Sequence, residues 1–183
     1  MSTNIDKIIY INSDKRKDRK EHIENELHNY GLNFERYEAI EIKVGCNQSQ
    51  VGCNISHLNV LKLARERNYK NILILEDDFT FLVSKEEFEN QLTLFFNENI
   101  DYNVCMLSYN LNDSEKTNYD FIVKALDVQT ASGYIVNRNY YDKLIGHILY
   151  ILSAQLESIG SMQMTKYGKG INAMTNFTVL HLE

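Results

Sequence analysis

The sequence predicts an α/β domain, a Rossmann-like and mainly parallel sheet with helices on both faces. Three observations point there. Two apolar runs, Ile8-Ile9-Tyr10-Ile11 and Ile72-Leu73-Ile74-Leu75, have the composition of short strands buried on both faces. Segments with helical spacing alternate with them, the order that builds parallel sheets. The second run ends abruptly in three carboxylates, Glu76-Asp77-Asp78, at the end of a strand where open α/β sheets bind ligands.

The elements follow in order. Ile5 to Asn12 reads as the first strand. A polar helix opens near Asp14 and runs to about Tyr30, with Ile23, Leu27 and Tyr30 on one face and Gly31 as its stop. Phe34 to Ile40 reads as a second strand, and Val44 to Gly52 as a loop rich in Gly, Asn, Gln and Ser. Asn54 is placed to cap a second helix carrying Leu58, Leu61 and Ala64, which leads into the Ile72 strand. Ser84 and Glu87 form a capping box for a third helix, Lys85 to about Asn97. Strands are expected over Tyr102 to Tyr109, Phe121 to Val128 and Gly133 to Val136, with a polar loop from Asn110 to Asn118. A fourth helix spans Asn139 to about Leu152, and Phe177 to Leu182 reads as a last strand.

With 183 residues, 44% hydrophobic and 24% charged, the chain suits one domain over residues 1–183. A net charge of -6 argues against general nucleic-acid binding, which needs a Lys/Arg surplus. No apolar run approaches the ~20 residues that span a bilayer, and the first residues lack a signal-peptide core. A cytoplasmic location is expected, with Cys46, Cys53 and Cys105 as thiols in a reducing compartment.

The acidic strand end carries the chemistry. On an extended backbone Glu76 and Asp78 project to the same side, and two such carboxylates can hold a hard divalent cation, which can hold a diphosphate. A solvated loop start is the plainer alternative. Neither the Gly-x-Gly-x-x-Gly turn nor a Walker-A loop follows the first strand, so a nucleotide would be held through a metal, or not at all. Arg16 and Arg19 are read either as a solvated helix start or as phosphate contacts. Ser132 and Gly133 allow a close ligand or tight packing. Tyr134 is read as packing, and Gly168-Lys169-Gly170 as a plain turn.

Several motifs together resemble glycosyltransferase family 25, which includes bacterial lipooligosaccharide galactosyltransferases and the procollagen galactosyltransferase domain. They are Ile9-Tyr10-Ile11-Asn12-Ser13-Asp14 with the basic run to Arg19, Phe34 to Ile40, Gly52-Cys53-Asn54-Ile55-Ser56-His57, Leu73 to Asp78, and Thr130 to Val136. The resemblance implies a GT-A type fold, with a nucleotide-binding half over about residues 1–80 and an acceptor half over about 81–183. It implies a UDP-sugar donor and a divalent metal, Mn²⁺ or Mg²⁺. By position it makes Asp78, with Glu76, the metal ligands. Asn12, Asp14, Arg16, Arg19, His57, Glu76 and Asp77 would lie near the nucleotide. The expected activity moves galactose or glucose, with inversion, onto a hydroxyl of a glycan or a hydroxylated protein, as in lipopolysaccharide or collagen glycosylation.

Inversion needs a base for the acceptor hydroxyl. The family's Pro-Val-Asp-like element after the fourth helix corresponds to Ser153-Ala154-Gln155-Leu156-Glu157, and Gln155 cannot be that base. Glu157 and Asp127 are the candidates. Two other readings stay open: a catalytically degenerate member that binds nucleotide or sugar or serves assembly, and an α/β protein whose acidic strand end does other metal chemistry, such as phosphoryl hydrolysis.

Overall fold

A computed structural model describes residues 4–42, 48–160 and 177–180. The elements are β1 (Lys7–Asn12), α1 (Lys17–Asn29), β2 (Phe34–Glu38), α2 (Gln48–Glu66), β3 (Asn71–Glu76), α3 (Lys85–Asn97), β4 (Val104–Lys116), β5 (Ile122–Asn137), α4 (Tyr141–Gly160) and β6 (Phe177–Leu180). A 3₁₀ turn, Arg138–Tyr140, leads into α4. The strands form one six-stranded sheet in the order β2-β1-β3-β5-β4-β6. Its first half is parallel, as expected: Ile8 lies opposite Phe34 on one side and Leu73 on the other. Beyond β3 the sheet turns mixed, because β5 runs antiparallel to both β3 and β4 while β6 is parallel to β4.

Side-chain alternation along the strands builds two apolar layers, one on each face of the sheet, each covered by helices. Ile8, Tyr10, Leu73 and Leu75 face Ile23 and Leu27 of α1 and Phe88, Leu92 and Phe95 of α3. Ile9, Ile11, Ile72 and Ile74 face Leu58 and Leu61 of α2 and Leu144 and Ile148 of α4. All four residues Ile72–Leu75 are fully buried. Truncating one such Leu to Ala would cost about 2–5 kcal/mol.

Local signals hold at several ends. The Ser84 side chain accepts from Glu87 N–H and starts α3. Gly31 adopts φ +66°, and Leu32 N–H reaches back to Leu27 C=O at 3.0 Å, closing α1 in a left-handed cap. Helix α1 starts later than expected because Ser13 to Arg16 first make a turn.

Three expectations are corrected. Helix α2 begins at Gln48, so Asn54 lies inside it rather than capping it, and much of the expected loop is helical. The polar stretch from Asn110 is strand as far as Lys116, not loop; its backbone pairs with β5, whose register against β4 slips at several bulges. The two expected strands over Phe121–Val128 and Gly133–Val136 are one bent strand, β5, with Thr130 at φ +66° in the bend.

One ion cluster ties the N-terminal elements together. Arg67, just after α2, pairs with Glu35 of β2 at 3.0 and 2.7 Å, and Lys7 of β1 lies 3.4 Å from the same carboxylate. The Arg67 guanidinium foremost holds Glu35 below the usual carboxylate range. A depressed folded value stabilises above the unfolded pKa of about 4.3 and fades as pH falls through the folded value. Wild type is therefore expected to exceed Glu35→Gln by well under 1 kcal/mol at neutral pH, because the group is partly exposed. Urea midpoints of the two proteins should converge in acid; a gap that stays constant there would remove this ion cluster as its source.

Candidate active site

A cleft of about 790 Å³ opens where β1 and β3 end, with Asn12, Arg16, Arg19, Cys53, His57 and Glu76 among its lining residues. Its outer wall is the segment Ala39 to Ile42, after β2. That wall is seated on α2 through Ser56, whose Oγ accepts from Ile40 N–H at 2.8 Å and donates to Gly52 C=O at 2.8 Å.

Alternation in β3 decides where the acidic residues go. Glu76 keeps the parity of Ile72 and Ile74 and meets α2, lying 3.2 Å from His57 Nε2 and 3.7 Å from Cys53 Sγ. His57 is buried, and its Nδ1 is 2.7 Å from the Tyr134 hydroxyl. With the His57 ring neutral, Nε2–H donates to the Glu76 carboxylate and Nδ1 accepts from the Tyr134 hydroxyl. The His57 hydrogen bond is the main reason Glu76 sits below the ordinary carboxylate range. Cys53 opens on the cleft, but burial of its thiol, with the Glu76 carboxylate beside it, pushes its pKa up to about 12.

Asp77 turns the other way. It is buried, accepts from Asn12 Nδ2 at 2.8 Å and pairs with Arg19 at 3.0 Å. The strand stops at Glu76, so alternation does not carry Asp78 back to the side of Glu76; it lies in the turn, exposed, paired with Arg19 at 3.0 Å. One guanidinium nitrogen of Arg19 thus serves both aspartates.

Asn12 is the knot of the β1 end. Besides Asp77 it holds Arg16 C=O at 3.1 Å through Nδ2, and its Oδ1 accepts from Arg36 Nε at 3.1 Å. Arg36 also pairs with Asp14 and holds that carboxyl low. Arg16 reaches the cleft but is tied to Asp18 at 2.9 and 2.6 Å, a bond that lowers Asp18 to about 2.

The structure therefore brings together Asn12, Arg16, Arg19, His57, Glu76 and Asp77 at the cleft, with Asp78 at the same turn and Asp14 beside it through Arg36. It does not bring in Asp127. That residue lies on the β4–β5 ribbon, is hydrogen-bonded by Asn112 at 3.3 Å, and is not among the residues lining the cleft. Glu157 lies on α4, but its side chain is outside the described residues, as is all of Gly168-Lys169-Gly170. Gln155 accepts from Asn54 of α2 at 3.3 Å. At Gly133 packing decides between the two readings, since a Cβ there would stand 2.4 Å from the Phe79 ring.

Three contributors carried no assigned role in the sequence. Arg36 is visible only as a cation in a strand next to the central one, where burial demands a counter-charge. Cys53 stands four residues before His57, one helical turn, a spacing that shares a face once the helix is known to start before it. Tyr134 needed the fold, because its strand reaches His57 from the far end of the chain. Among the described residues, one group of three could hold a metal ion, Cys53, His57 and Glu76.

The family model for glycosyltransferase family 25 (LPS biosynthesis protein) matches residues 46–156, more than half of the chain. No curated protein matches the sequence. Two solved structures are similar in fold. The mannose-1-phosphate geranyltransferase from Thermus thermophilus is 9% identical with a TM-score of 0.49, covering 94% of this chain and 72% of that one. A glycosyltransferase involved in the glycosylation of the major capsid of PBCV-1 is 12% identical with a TM-score of 0.42, covering 83% and 67%. Among the described residues no helix is long and apolar enough to cross a membrane.

Proposed function

This chain belongs to glycosyltransferase family 25, and on that footing we propose that it transfers a hexose, galactose or glucose, from a UDP-sugar to a hydroxyl acceptor with inversion. The observation that carries the proposal is the cleft at the ends of β1 and β3, which gathers two guanidinium groups and the acidic strand end within one opening. Breaking the bond from the anomeric carbon to a diphosphate oxygen builds negative charge on the leaving group. Arg16 and Arg19 are suited to bind that charge, since guanidinium pairs with phosphate oxygens in two-pronged fashion. Asp14 flanks them and offers a hydrogen-bond acceptor to the nucleoside, while Asn12 and His57 hold the Asp77 and Glu76 carboxylates in place beside it.

Glu76 and Asp78 are the candidates to hold Mn²⁺ or Mg²⁺, and a bound cation supplies further neutralisation of the leaving diphosphate. The residues fit that role under one condition. Asp78 is exposed and surrenders only a surface ion pair, so Arg19 can release it to a cation and turn to phosphate. For the acceptor, a glycan or a hydroxylated protein, Glu157 is the better base. Asn54 and Gln155 tie the α4 end to α2, which lines the cleft, whereas Asp127 is engaged on the ribbon.

The same Asn54–Gln155 bond favours a second reading, a member that binds a sugar nucleotide without transferring. An amide stands bonded to protein where the resemblance to the family places an Asp. Calorimetric titration of UDP with and without Mn²⁺, on wild type and Asp78→Asn, tests the proposal. The expected result is Mn²⁺-dependent binding, weakened at least about tenfold by the substitution, the size of one lost charge-assisted contact. Folded wild type that binds no UDP under either condition would overturn both readings. Binding without turnover of any UDP-hexose across glycan and hydroxylated-peptide acceptors would favour the second.

A further inference from the structure

We propose that Cys53, His57 and Glu76 form a site for a borderline transition-metal cation of the Zn²⁺ or Co²⁺ class, which shares Glu76 with a hard cation at Asp78 but differs from it in its sulfur and nitrogen donors. The three residues each offer one ligand atom, and the three atoms all lie within 4.8 Å of one another. Two of the separations are already short, 3.2 Å from His57 Nε2 and 3.7 Å from Cys53 Sγ to the same Glu76 oxygen. Tetrahedral coordination with metal–ligand bonds of about 2.0–2.3 Å places donors roughly 3.3–3.8 Å apart. Binding therefore asks for little more than a small adjustment of side chains.

The scaffold under the donors is rigid. Cys53 and His57 stand one turn apart on α2, and Glu76 ends the fully buried run of β3. Behind His57 the Tyr134 hydroxyl lies 2.7 Å from Nδ1, with the two rings stacked at 23° and 5.7 Å between centroids. A hydroxyl both donates and accepts. It can take Nδ1–H instead of giving its own proton, which leaves Nε2 with a lone pair toward the other two donors. A partner on the remote ring nitrogen is the usual support of a metal-bound histidine.

The donor set selects the ion. One sulfur, one imidazole nitrogen and one carboxylate suit Zn²⁺ or Co²⁺, while Mg²⁺ and Ca²⁺ ask for oxygen ligands throughout. On binding, the thiol loses its proton to solvent and the thiolate takes its place in the coordination shell. All three donors line the cleft, so a fourth position would face its interior and stay open to water or a phosphate oxygen. The site stands whether or not the cleft takes a sugar nucleotide.

Titration of Co²⁺ into the metal-stripped chain, followed by absorption, is the test. The expected result is one Co²⁺ per chain, with a near-ultraviolet thiolate-to-cobalt band and visible bands of tetrahedral intensity, all reversed by Zn²⁺. Cys53→Ser should abolish the thiolate band, and Tyr134→Phe should weaken binding about tenfold while keeping it. Circular dichroism checks that each variant folds. No thiolate band in wild type, or a band that survives Cys53→Ser and so arises from Cys46 or Cys105, would overturn the proposal. UDP affinity of wild type and Cys53→Ser, measured with Mg²⁺ as the only cation, reads the nucleotide site independently, because Mg²⁺ does not favour a sulfur donor.

Discussion

Gly52→Ala is expected to destabilise the protein by about 2–3 kcal/mol, the range found when an extra carbon is forced into a packed interior. A Cβ at this position would stand 2.3 Å from Ile40 C=O oxygen and 3.4 Å from its carbon. Both are backbone atoms, so no side-chain rotation relieves the contact. Relief requires moving the Ala39–Ile42 wall or the start of α2, and Ser56 bonds those two together. Gly146 of α4 makes the contrast, since a Cβ there meets nothing within 4 Å. The urea midpoint of Gly52→Ala reads the effect. A variant as stable as wild type would show that wall and helix can part freely. Because Cys53 follows directly and His57 lies one turn beyond, the same displacement should also weaken ligand binding in the cleft.

Asn12→Leu should cost about 3 kcal/mol although it nearly preserves volume. The amide is buried and satisfies three groups at once, the Asp77 carboxylate, the Arg36 guanidinium and Arg16 C=O. Leaving buried polar groups without partners costs about 1–3 kcal/mol each, more where they are charged, and the two arginine contacts can in part be replaced by water. Asp77 cannot exchange so easily, because it is buried and, among the described residues, would be left with the Arg19 pair. Urea denaturation measures the loss. A change below about 1 kcal/mol would mean that water replaces the amide throughout and that Asn12 does not organise the β1 end.

What the sequence showed and what it hid follow from where the information lies. The run Ile72–Leu75 was legible because a strand buried on both faces has nothing but apolar residues to display. Ser84 with Glu87 was legible because a cap is a local bond between near neighbours. The first turns of α2 were hidden, since Gln48 to Gly52 have loop composition and the pattern of helical apolar residues sets in only later. Seating of Gly52 against Ile40 and burial of Val51 hold them in a helix instead. Asn110 to Lys116 misled for the same reason, because pairing with β5 satisfies the backbone whatever the side chains prefer. At the site, Arg19 and His57 were within reach of spacing and resemblance. The departure of Asp78 from the side of Glu76 was not, as it depends on β3 ending one residue into the acidic run.

The strand order has a consequence for how the chain reaches this state. β1 is an interior strand, yet its second partner arrives only when Ile72 comes opposite Lys7, and β3 in turn waits for Gly133 to come opposite Leu75. Each closure fixes a long stretch of chain before its pairing is rewarded, which slows two-state folding toward the millisecond-to-second range. A growing chain that has released β1 to α2 holds two strands with an apolar edge and no neighbour for it. Until β3 and β5 follow, that exposed edge is a place for self-association, so the order of emergence during synthesis makes the first half of the molecule dependent on its second.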